Sequence, residues 1–227
     1  AGVGAWDIMA YGGWSMAAGD TLLGQTPPMP NAYLRMSLGW IDANDSAQLV
    51  KALDFKGQPI NMTSSSTAPF ALIAPADPNP SPYIGEFFMA ENRQRVGYDA
   101  SLPGSGALVW HIDESVYNNN DPLHPRVRLV QADGADHLRT AAKFGDAGDA
   151  FSANSINTRF GVGSALSSNY YNGTASEISF DFAAGGVNGM ASPTSTSSIV
   201  VVANLGAVAT PVTSPMPYSL FLPVTMR

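Results

Sequence analysis

Four short segments of the chain carry the pattern of β-strands, and this pattern most constrains the fold. The segments are IGEFFMAENRQ (84–94), GALVWHID (106–113), RVRLVQAD (126–133) and EISFDF (177–182), and Gly, Pro, Asn and Asp residues separate them. In the last segment Ile178, Phe180 and Phe182 alternate with polar residues, so one face is expected to be buried. Short strands joined by long loops predict a mainly β fold with an antiparallel β-sandwich-like region.

Segments of different composition flank this β-rich region. Residues 1–45 are rich in loops, and one short helix, AYLRMSL, is expected between an N-cap at Asn31 and a stop at Gly39. Residues 46–183 form the β-rich region, which includes a possible strand at 49–55. Residues 184–227 are predicted to form a linker and a mobile C-terminal tail, in which SIVVVANL is compatible with one more strand.

The composition excludes several classes of function. Eighteen acidic residues against eleven Lys and Arg give a net charge of −7, which disfavours binding to a nucleic-acid backbone. No apolar run is long enough for a transmembrane helix, so no membrane span is expected. The absence of Cys excludes disulfides and thiol chemistry. Because the chain starts with AGVGAWDIMAYGGW, we expect it to be a piece of a longer protein.

The histidines offer one candidate metal motif. His111 and Asp113 end an apolar segment, and residues two apart in a strand share a face, so the pair could ligate a metal with His124 or His137. In β-barrel metal sites of this kind the third ligand is a distant histidine that completes the site across the barrel. His124 and His137 lie only 13 and 26 residues after His111, which is short for such an arrangement. The sequence therefore favours a structural His111, with its ring held by Asp113 or with Glu114 capping the strand end. No HExxH zinc-binding helix occurs in the chain.

Two acidic loops are candidates for calcium binding. Asp146 and Asp149 lie three residues apart in GDAGDAF, and Asp133 and Asp136 have the same spacing in ADGAD. Carboxylates that crowd one bend repel each other unless a cation or N–H donors offset the charge, and Ca²⁺ takes several oxygen ligands from flexible loops. The alternative is an ordinary turn, in which Lys143 or backbone N–H groups satisfy the carboxylates.

Several segments together carry a resemblance to one family. GVGAWDIMAYGGW, NAYLRMSLGWID, EFFMAENRQRVGYDASLPGSGALVWHIDESV, HPRVRLVQADGADHL and GDAGDAF occur in this order, from residue 2 to about residue 151. In this series the chain resembles the immune-inhibitor-A-like secreted bacterial zinc metallopeptidases. The resemblance implies that residues 1–45 are the C-terminal end of a metzincin-like catalytic domain.

The resemblance assigns a role to the first segment. WDIM is similar to the Met-turn that lies beneath the zinc site of such peptidases, with Met9 as its methionine, Trp6 and Asp7 bracing it and Tyr11 continuing it. The family's HExxH would lie upstream of residue 1, so this chain is expected to hold no zinc ligand and no catalytic residue. We therefore expect Met9 to be buried, residues 1–15 to be poorly anchored without the missing segment, and Trp6 and Trp14 to leave apolar surface exposed.

Two functions follow from these patterns. In the first, the chain is the C-terminal portion of a secreted zinc-dependent endopeptidase whose substrates are proteins, and it is inactive alone. In the second, it is a non-catalytic β-sandwich that binds a partner at a cell surface or outside the cell, with calcium as a candidate ion.

Overall fold

A computed structural model describes residues 2–55, 57–75, 85–152, 155–182 and 199–205. In chain order the regular elements are α1 Ala32–Ser37, β1 Leu49–Lys51, α2 Ala52–Phe55, β2 Pro59–Met62, β3 Ala71–Pro75, β4 Glu86–Arg93, β5 Gly106–Asp113, β6 Val127–Val130, α3 His137–Thr140, β7 Arg159–Gly161, β8 Ile178–Asp181 and β9 Ile199–Leu205, with short 3-10 helices at Gly4–Trp6, Tyr11–Trp14, Gly97–Ser101 and Ala147–Asp149. The predicted mainly β fold is confirmed. No helix within these residues is long and apolar enough to cross a bilayer.

Two sheets form the sandwich-like body. The first has the strand order β1-β3-β4-β5-β6, and the second has the order β2-β9-β8-β7. All neighbouring strands run antiparallel except β1 and β3, which are parallel. Side chains from both sheets, including Phe88, Val109, Phe160, Phe180 and Val201, meet in one apolar core between them.

The first sheet is buried on both faces. Its second face carries Met89, Leu108 and Trp110, and these pack against Trp6 and Tyr33 of the N-terminal segment in a separate apolar core. Every residue of β5 is therefore buried. A strand loses the alternation of polar and apolar residues when both faces of its sheet are buried. This explains the nearly continuous apolar run in GALVWHID.

The short helix α1 forms as the sequence predicts. The Asn31 side chain accepts a hydrogen bond from the Leu34 N–H at 2.9 Å, which satisfies one of the free N–H groups of the first turn. Gly39 follows the helix with φ +75°, a left-handed conformation that glycine adopts without strain. The helix lies beside β4, where it brings Tyr33 onto the first sheet.

Two strand assignments differ from the sequence prediction. The expected strand at 49–55 ends at Lys51 and continues as α2, because pairing with β3 covers only Leu49, Val50 and Lys51. The segment SIVVVANL contains β9, which lies between β2 and β8, so residues 199–205 belong to the sandwich and not to a mobile tail. The rest of the predicted linker and tail, 184–198 and 206–227, lies outside the described residues.

The position of β9 in the core generates a stability prediction. Val201 is fully buried, whereas Val162 is 47% exposed beyond the end of β7. We expect Val201→Ala to lower the free energy of unfolding by about 2 kcal/mol, because two methyl groups leave a packed core. Val162→Ala is the matched control and should cost about 0.5 kcal/mol or less. Urea unfolding followed by circular dichroism measures both, and equal losses would contradict the placement of β9.

Candidate functional site

The segment WDIM forms a tight turn that Asp7 braces from within. The Asp7 carbonyl oxygen accepts hydrogen bonds from the N–H groups of Ala10 and Gly12, both at 3.1 Å. Its carboxylate Oδ1 accepts the Met9 N–H at 2.6 Å. Burial raises the pKa of Asp7, and the hydrogen bonds from Asn31 and Met9 counteract that rise. The backbone of this turn is thus fixed by one buried carboxylate.

Met9 lies on the outside of this turn, so the expectation that it is buried is wrong. Its side chain is 77% exposed, whereas Trp6 and Asp7 are almost completely buried. The physical reason is that Trp6 and Asp7 occupy the inward positions, whereas Met9 lies at the tip of the turn that the Asp7 carbonyl closes with the Ala10 N–H. Trp14 is exposed as expected, but Trp6 is not.

The first residues are firmly attached to the sheet, contrary to the expectation of poor anchoring. The Gly2 N–H donates to the Leu138 carbonyl at 3.0 Å, and the Gly2 carbonyl accepts the Leu129 N–H at 2.9 Å. Farther along, the Trp6 Nε1–H donates to Asp149 Oδ2 at 2.8 Å. Residue 2 therefore extends the edge of the first sheet beside β6, and Trp6 locks the segment to a distant loop.

A buried carboxylate in β4 joins this N-terminal segment to the sheet. Glu91 is fully buried and lies between the guanidinium groups of Arg35 and Arg93. It also accepts the Trp110 Nε1–H at 2.8 Å and the Ala32 N–H at 3.1 Å. Burial alone would raise the pKa of Glu91, but the charges of Arg93 and Arg35 outweigh it and hold the pKa below its usual value.

Arg93 extends the ion network to the loop that precedes α1. Its Nε and Nη2 atoms donate to the two oxygens of Asp99 at 2.6 and 2.5 Å, in a bidentate pair. Its Nη2 also donates to the Met29 carbonyl at 3.0 Å, while Asp99 Oδ1 accepts the Met29 N–H at 3.0 Å. Two residues later, Asn31 donates from both its backbone and side-chain nitrogens to Asp7 Oδ2 at 2.6 Å. These contacts connect the turn, α1 and β4.

These residues occur in sequence motifs that by themselves assign them no role. Glu91 and Arg93 are the charged residues of ENRQ, and Asp99 is the acid of GYD. Their position in an otherwise apolar strand could have identified them as a buried ion network, because charged side chains are buried in such a strand only when they are paired. Their partners Arg35, Asp7 and Asn31 come from a separate part of the chain, which spacing alone does not reveal.

A cavity of about 460 Å³ opens between the turn, α1 and the loop after α3. Met9, Tyr11, Tyr33, Leu34 and Phe144 supply much of its apolar wall. The rings of Tyr11 and Phe144 stack with their centroids 3.5 Å apart and close one side of it. None of the three histidines lines this cavity, and Asp7 in its wall is already engaged in hydrogen bonds. The cavity therefore offers a shaped and largely apolar wall, and no histidine, to any group that enters it.

His111 is buried as a structural histidine would be, but its partner is not Asp113. The His111 Nε2 atom lies 2.6 Å from Glu86 Oε1, and its ring stacks between those of Phe88 and Tyr171, each at 4.4 Å. Glu86 reaches the ring because it sits on β4, diagonally across from His111 on β5. Burial lowers the pKa of His111, although Glu86 counteracts this.

Asp113 and Glu114 have other partners. Asp113 Oδ2 lies 2.7 Å from His124 Nε2, and Asp113 Oδ1 accepts the Ser115 hydroxyl at 2.6 Å. Glu114 accepts the Tyr33 hydroxyl at 3.0 Å. The expected contact between the His111 ring and Asp113 is thus wrong, because His124 and Ser115 engage the Asp113 carboxylate and Glu86 takes the ring instead.

The four calcium candidates separate into different environments. Asp149 is buried and accepts hydrogen bonds from Trp6 Nε1 at 2.8 Å, Gln131 Nε2 at 2.7 Å and the Asp146 N–H at 3.0 Å. Burial raises its pKa despite these donors. Asp136 pairs instead with Arg139, at 2.5 Å from its Nε.

Asp133 and Asp146 are brought together, and His137 lies beside them. One ligand atom of each residue falls within 4.8 Å of the others. Asp146 also accepts the Gly148 N–H at 2.9 Å and lies 3.2 Å from Lys143 Nζ, and these donors lower its pKa. The structure thus contains the N–H and Lys143 contacts of the ordinary-turn alternative. It also places His137, a candidate metal ligand that the sequence grouped with His111 and Asp113, beside two of the calcium candidates instead.

Comparison with known proteins adds no family to this description. No family model matches the chain, and no curated protein matches its sequence. The functional interpretation therefore depends on the residues and on their geometry.

The ion network around Glu91 generates a prediction for stability and for its pH dependence. We expect Glu91→Gln to lower the free energy of unfolding by roughly 3–5 kcal/mol at neutral pH, because Arg35 and Arg93 keep buried charges without their counter-ion. The pKa of Glu91 is lowered in the folded state, so its contribution is complete above the usual value of 4.5 and is lost as the pH falls through the folded value. Urea unfolding at neutral and acidic pH measures both effects.

A surface ion pair is the control for this experiment. Asp136→Asn removes a partly exposed carboxylate that pairs with Arg139, and it should cost about 1 kcal/mol or less. A gap between wild type and Glu91→Gln that stays constant into acid would contradict the assigned role of the Glu91 charge.

Proposed function

We propose that this chain is the C-terminal portion of a secreted bacterial zinc-dependent endopeptidase similar to immune inhibitor A, and that it forms the floor beneath the catalytic site. The observation that carries the proposal is the rigid turn at Asp7, which holds Met9 outward at the mouth of an apolar cavity. The turn is fixed on its inner side by Asp7, and its outer side, with Met9, is exposed. This arrangement suits a segment that supports another part of the enzyme.

The exposed apolar surface supports this proposal. Large apolar side chains that are more than half exposed are concentrated in the N-terminal segment: Met9, Trp14, Leu22, Leu23, Leu38 and Trp40. Contiguous apolar patches commonly mark protein–protein contacts, and the proposal is that these side chains belong to one such contact. In the proposed enzyme the segment with the HExxH helix covers part of this surface.

The residues around Met9 do not form a zinc site by themselves. No histidine lines the cavity beside Met9, and both oxygens of Asp7 accept hydrogen bonds from Met9 and Asn31. In the proposed enzyme, zinc and its ligands come from the preceding segment, where the metal would activate a water for peptide hydrolysis. The contribution of this chain is to position the turn and to exclude water below it.

Peptidase activity distinguishes the proposal from the binding-module alternative. We expect the gene to encode an HExxH upstream of residue 1, and the longer protein to cleave casein in a reaction that chelators abolish. Residues 1–227 alone should show no cleavage, because the HExxH that supplies the catalytic zinc ligands and the base does not occur in them. An upstream sequence without HExxH would favour the non-catalytic binding module, and chelator-sensitive cleavage by residues 1–227 alone would refute the proposed division of labour.

Oxidation of methionine tests the position of Met9 directly. In residues 1–227 alone, we expect peroxide to oxidise Met9 quickly and the fully buried Met89 slowly, since solvent access governs the reaction. In the longer protein Met9 should become protected while Met89 stays unchanged. Mass spectrometry of peptides measures both rates, and equally fast oxidation of Met9 in the two proteins would show that nothing covers the turn.

A further inference from the structure

The loop that follows β6 folds back on itself so that three metal-ligating side chains converge. Asp133 comes from the turn after β6, His137 begins α3, and Asp146 precedes the 3-10 helix at Ala147–Asp149. One ligand atom from each lies within 4.8 Å of the other two, and all three side chains are partly accessible.

His137 distinguishes this group from an ordinary cluster of acids. Its Nδ1 atom is enclosed and has no hydrogen-bond partner within the described part of the chain. The nearest carboxylate atom, Asp146 Oδ2, lies 4.0 Å from Nδ1, which is too long for a hydrogen bond. A buried ring nitrogen without a partner is uncommon, since such groups are nearly always satisfied. Its free electron pair or proton faces two carboxylates.

Gly148 brings the two carboxylates to one place. A Cβ atom at this position would lie 3.1 Å from both Asp133 Oδ2 and Asp146 Oδ1, so the glycine leaves room for the two acids to approach. The Gly148 N–H donates to Asp146 Oδ1 and orients that carboxylate. Asp133 is oriented likewise, because its Oδ1 accepts the Ala135 N–H at 2.9 Å. Each acid therefore has one oxygen fixed by a backbone N–H and a second oxygen that the backbone does not hold, although Lys143 Nζ lies 3.2 Å from that of Asp146.

We propose that Asp133, His137 and Asp146 bind a divalent transition-metal ion of the zinc class. One imidazole nitrogen and two carboxylate oxygens form a ligand set that zinc accepts, and a water completes its tetrahedral coordination. Calcium takes six to eight oxygen ligands and has little affinity for imidazole. The histidine therefore favours the transition metal over calcium at this position.

Binding requires a small contraction of the group. Ligands about 2.1 Å from a tetrahedral ion lie about 3.4 Å from one another, so atoms within 4.8 Å must approach by about 1.4 Å at most. Rotation of partly exposed side chains supplies this movement. Lys143 Nζ, now 3.2 Å from Asp146 Oδ2, must leave that oxygen, because an ammonium and a metal ion repel each other. The ion would then join the two ends of the loop 133–146.

Zinc titration of the whole chain tests the site. Tag-free protein is stripped with a chelator, and isothermal titration calorimetry is carried out with Zn²⁺ and, separately, with Ca²⁺. We expect one equivalent of Zn²⁺ to bind, and we expect Ca²⁺ not to compete for it. In nitrogen-detected NMR, the Nδ1 signal of His137 should shift on addition of zinc, because that atom becomes a ligand.

Two variants and a matched control decide whether the assigned residues hold the ion. His137→Gln and Asp133→Asn should each weaken zinc binding by about tenfold or more, since even outer-shell changes cost 10–100-fold. Asp133→Asn keeps an acceptor for the Ala135 N–H, so it removes the charge without opening the turn. His124→Gln alters another partly exposed histidine, outside the group, and should bind zinc like the wild type.

Each possible result of the zinc titrations either supports or refutes the proposed site. Loss of affinity in both loop variants but not in His124→Gln supports the site. Unchanged affinity in His137→Gln and Asp133→Asn, an equal loss in His124→Gln, or binding of Ca²⁺ without Zn²⁺ would overturn it. If His137→Gln fails to fold, Asp133→Asn and the NMR shift of the wild type still decide the question.

Discussion

The rest of the structure depends on the ion pairs of one buried carboxylate, that of Glu91. It lies at the middle of β4, and the two guanidinium groups that neutralise it come from α1 and from β4 itself. A charge removed from water is tolerated only when partners replace its hydration, so Arg35 must dock at this one position. Apolar packing alone is less directional, and the ion network therefore sets where the N-terminal segment lies on the first sheet.

The same network determines which surface the N-terminal segment presents. Arg93 and Asp99 hold the backbone at Met29, and Asn31 then joins the start of α1 to Asp7. Because Asp7 is fixed in the interior, the exposed part of the turn consists of Met9 and the residues next to it. The inner side of the segment covers Trp110 and Leu108, while its outer side leaves a second apolar surface. The N-terminal segment is thus fixed to the first sheet on its inner side and has apolar side chains on both sides. Such a segment is suited to lie between the sheet and a further layer of protein.

The features that the sequence predicted are those that neighbouring residues determine. The buried face of EISFDF, with Ile178, Phe180 and Phe182, and the Asn31 cap act over a few residues, and both are found as expected, although Ser179 on the opposite face is buried as well. The features that it missed depend on distant partners. The place of β9 in the sandwich, between β2 and β8, depends on pairing with distant residues such as Pro59, and the His111 ring is held by Glu86 from another strand. The outward position of Met9 likewise follows from Asn31 on Asp7, a contact between segments that spacing does not encode.

The acidic loop shows why closeness in sequence is a poor guide to shared ligands. Asp146 and Asp149 are three residues apart, yet the 3-10 turn between them gives them opposite environments. Asp149 points inward to Trp6 and Gln131, where burial raises its pKa, whereas Asp146 points outward to Lys143 and the Gly148 N–H, which lower its pKa. The reciprocal cap thus relieves the repulsion between them without a cation. It also leaves Asp146 turned toward Asp133 and His137, which are distant in sequence but adjacent in the fold.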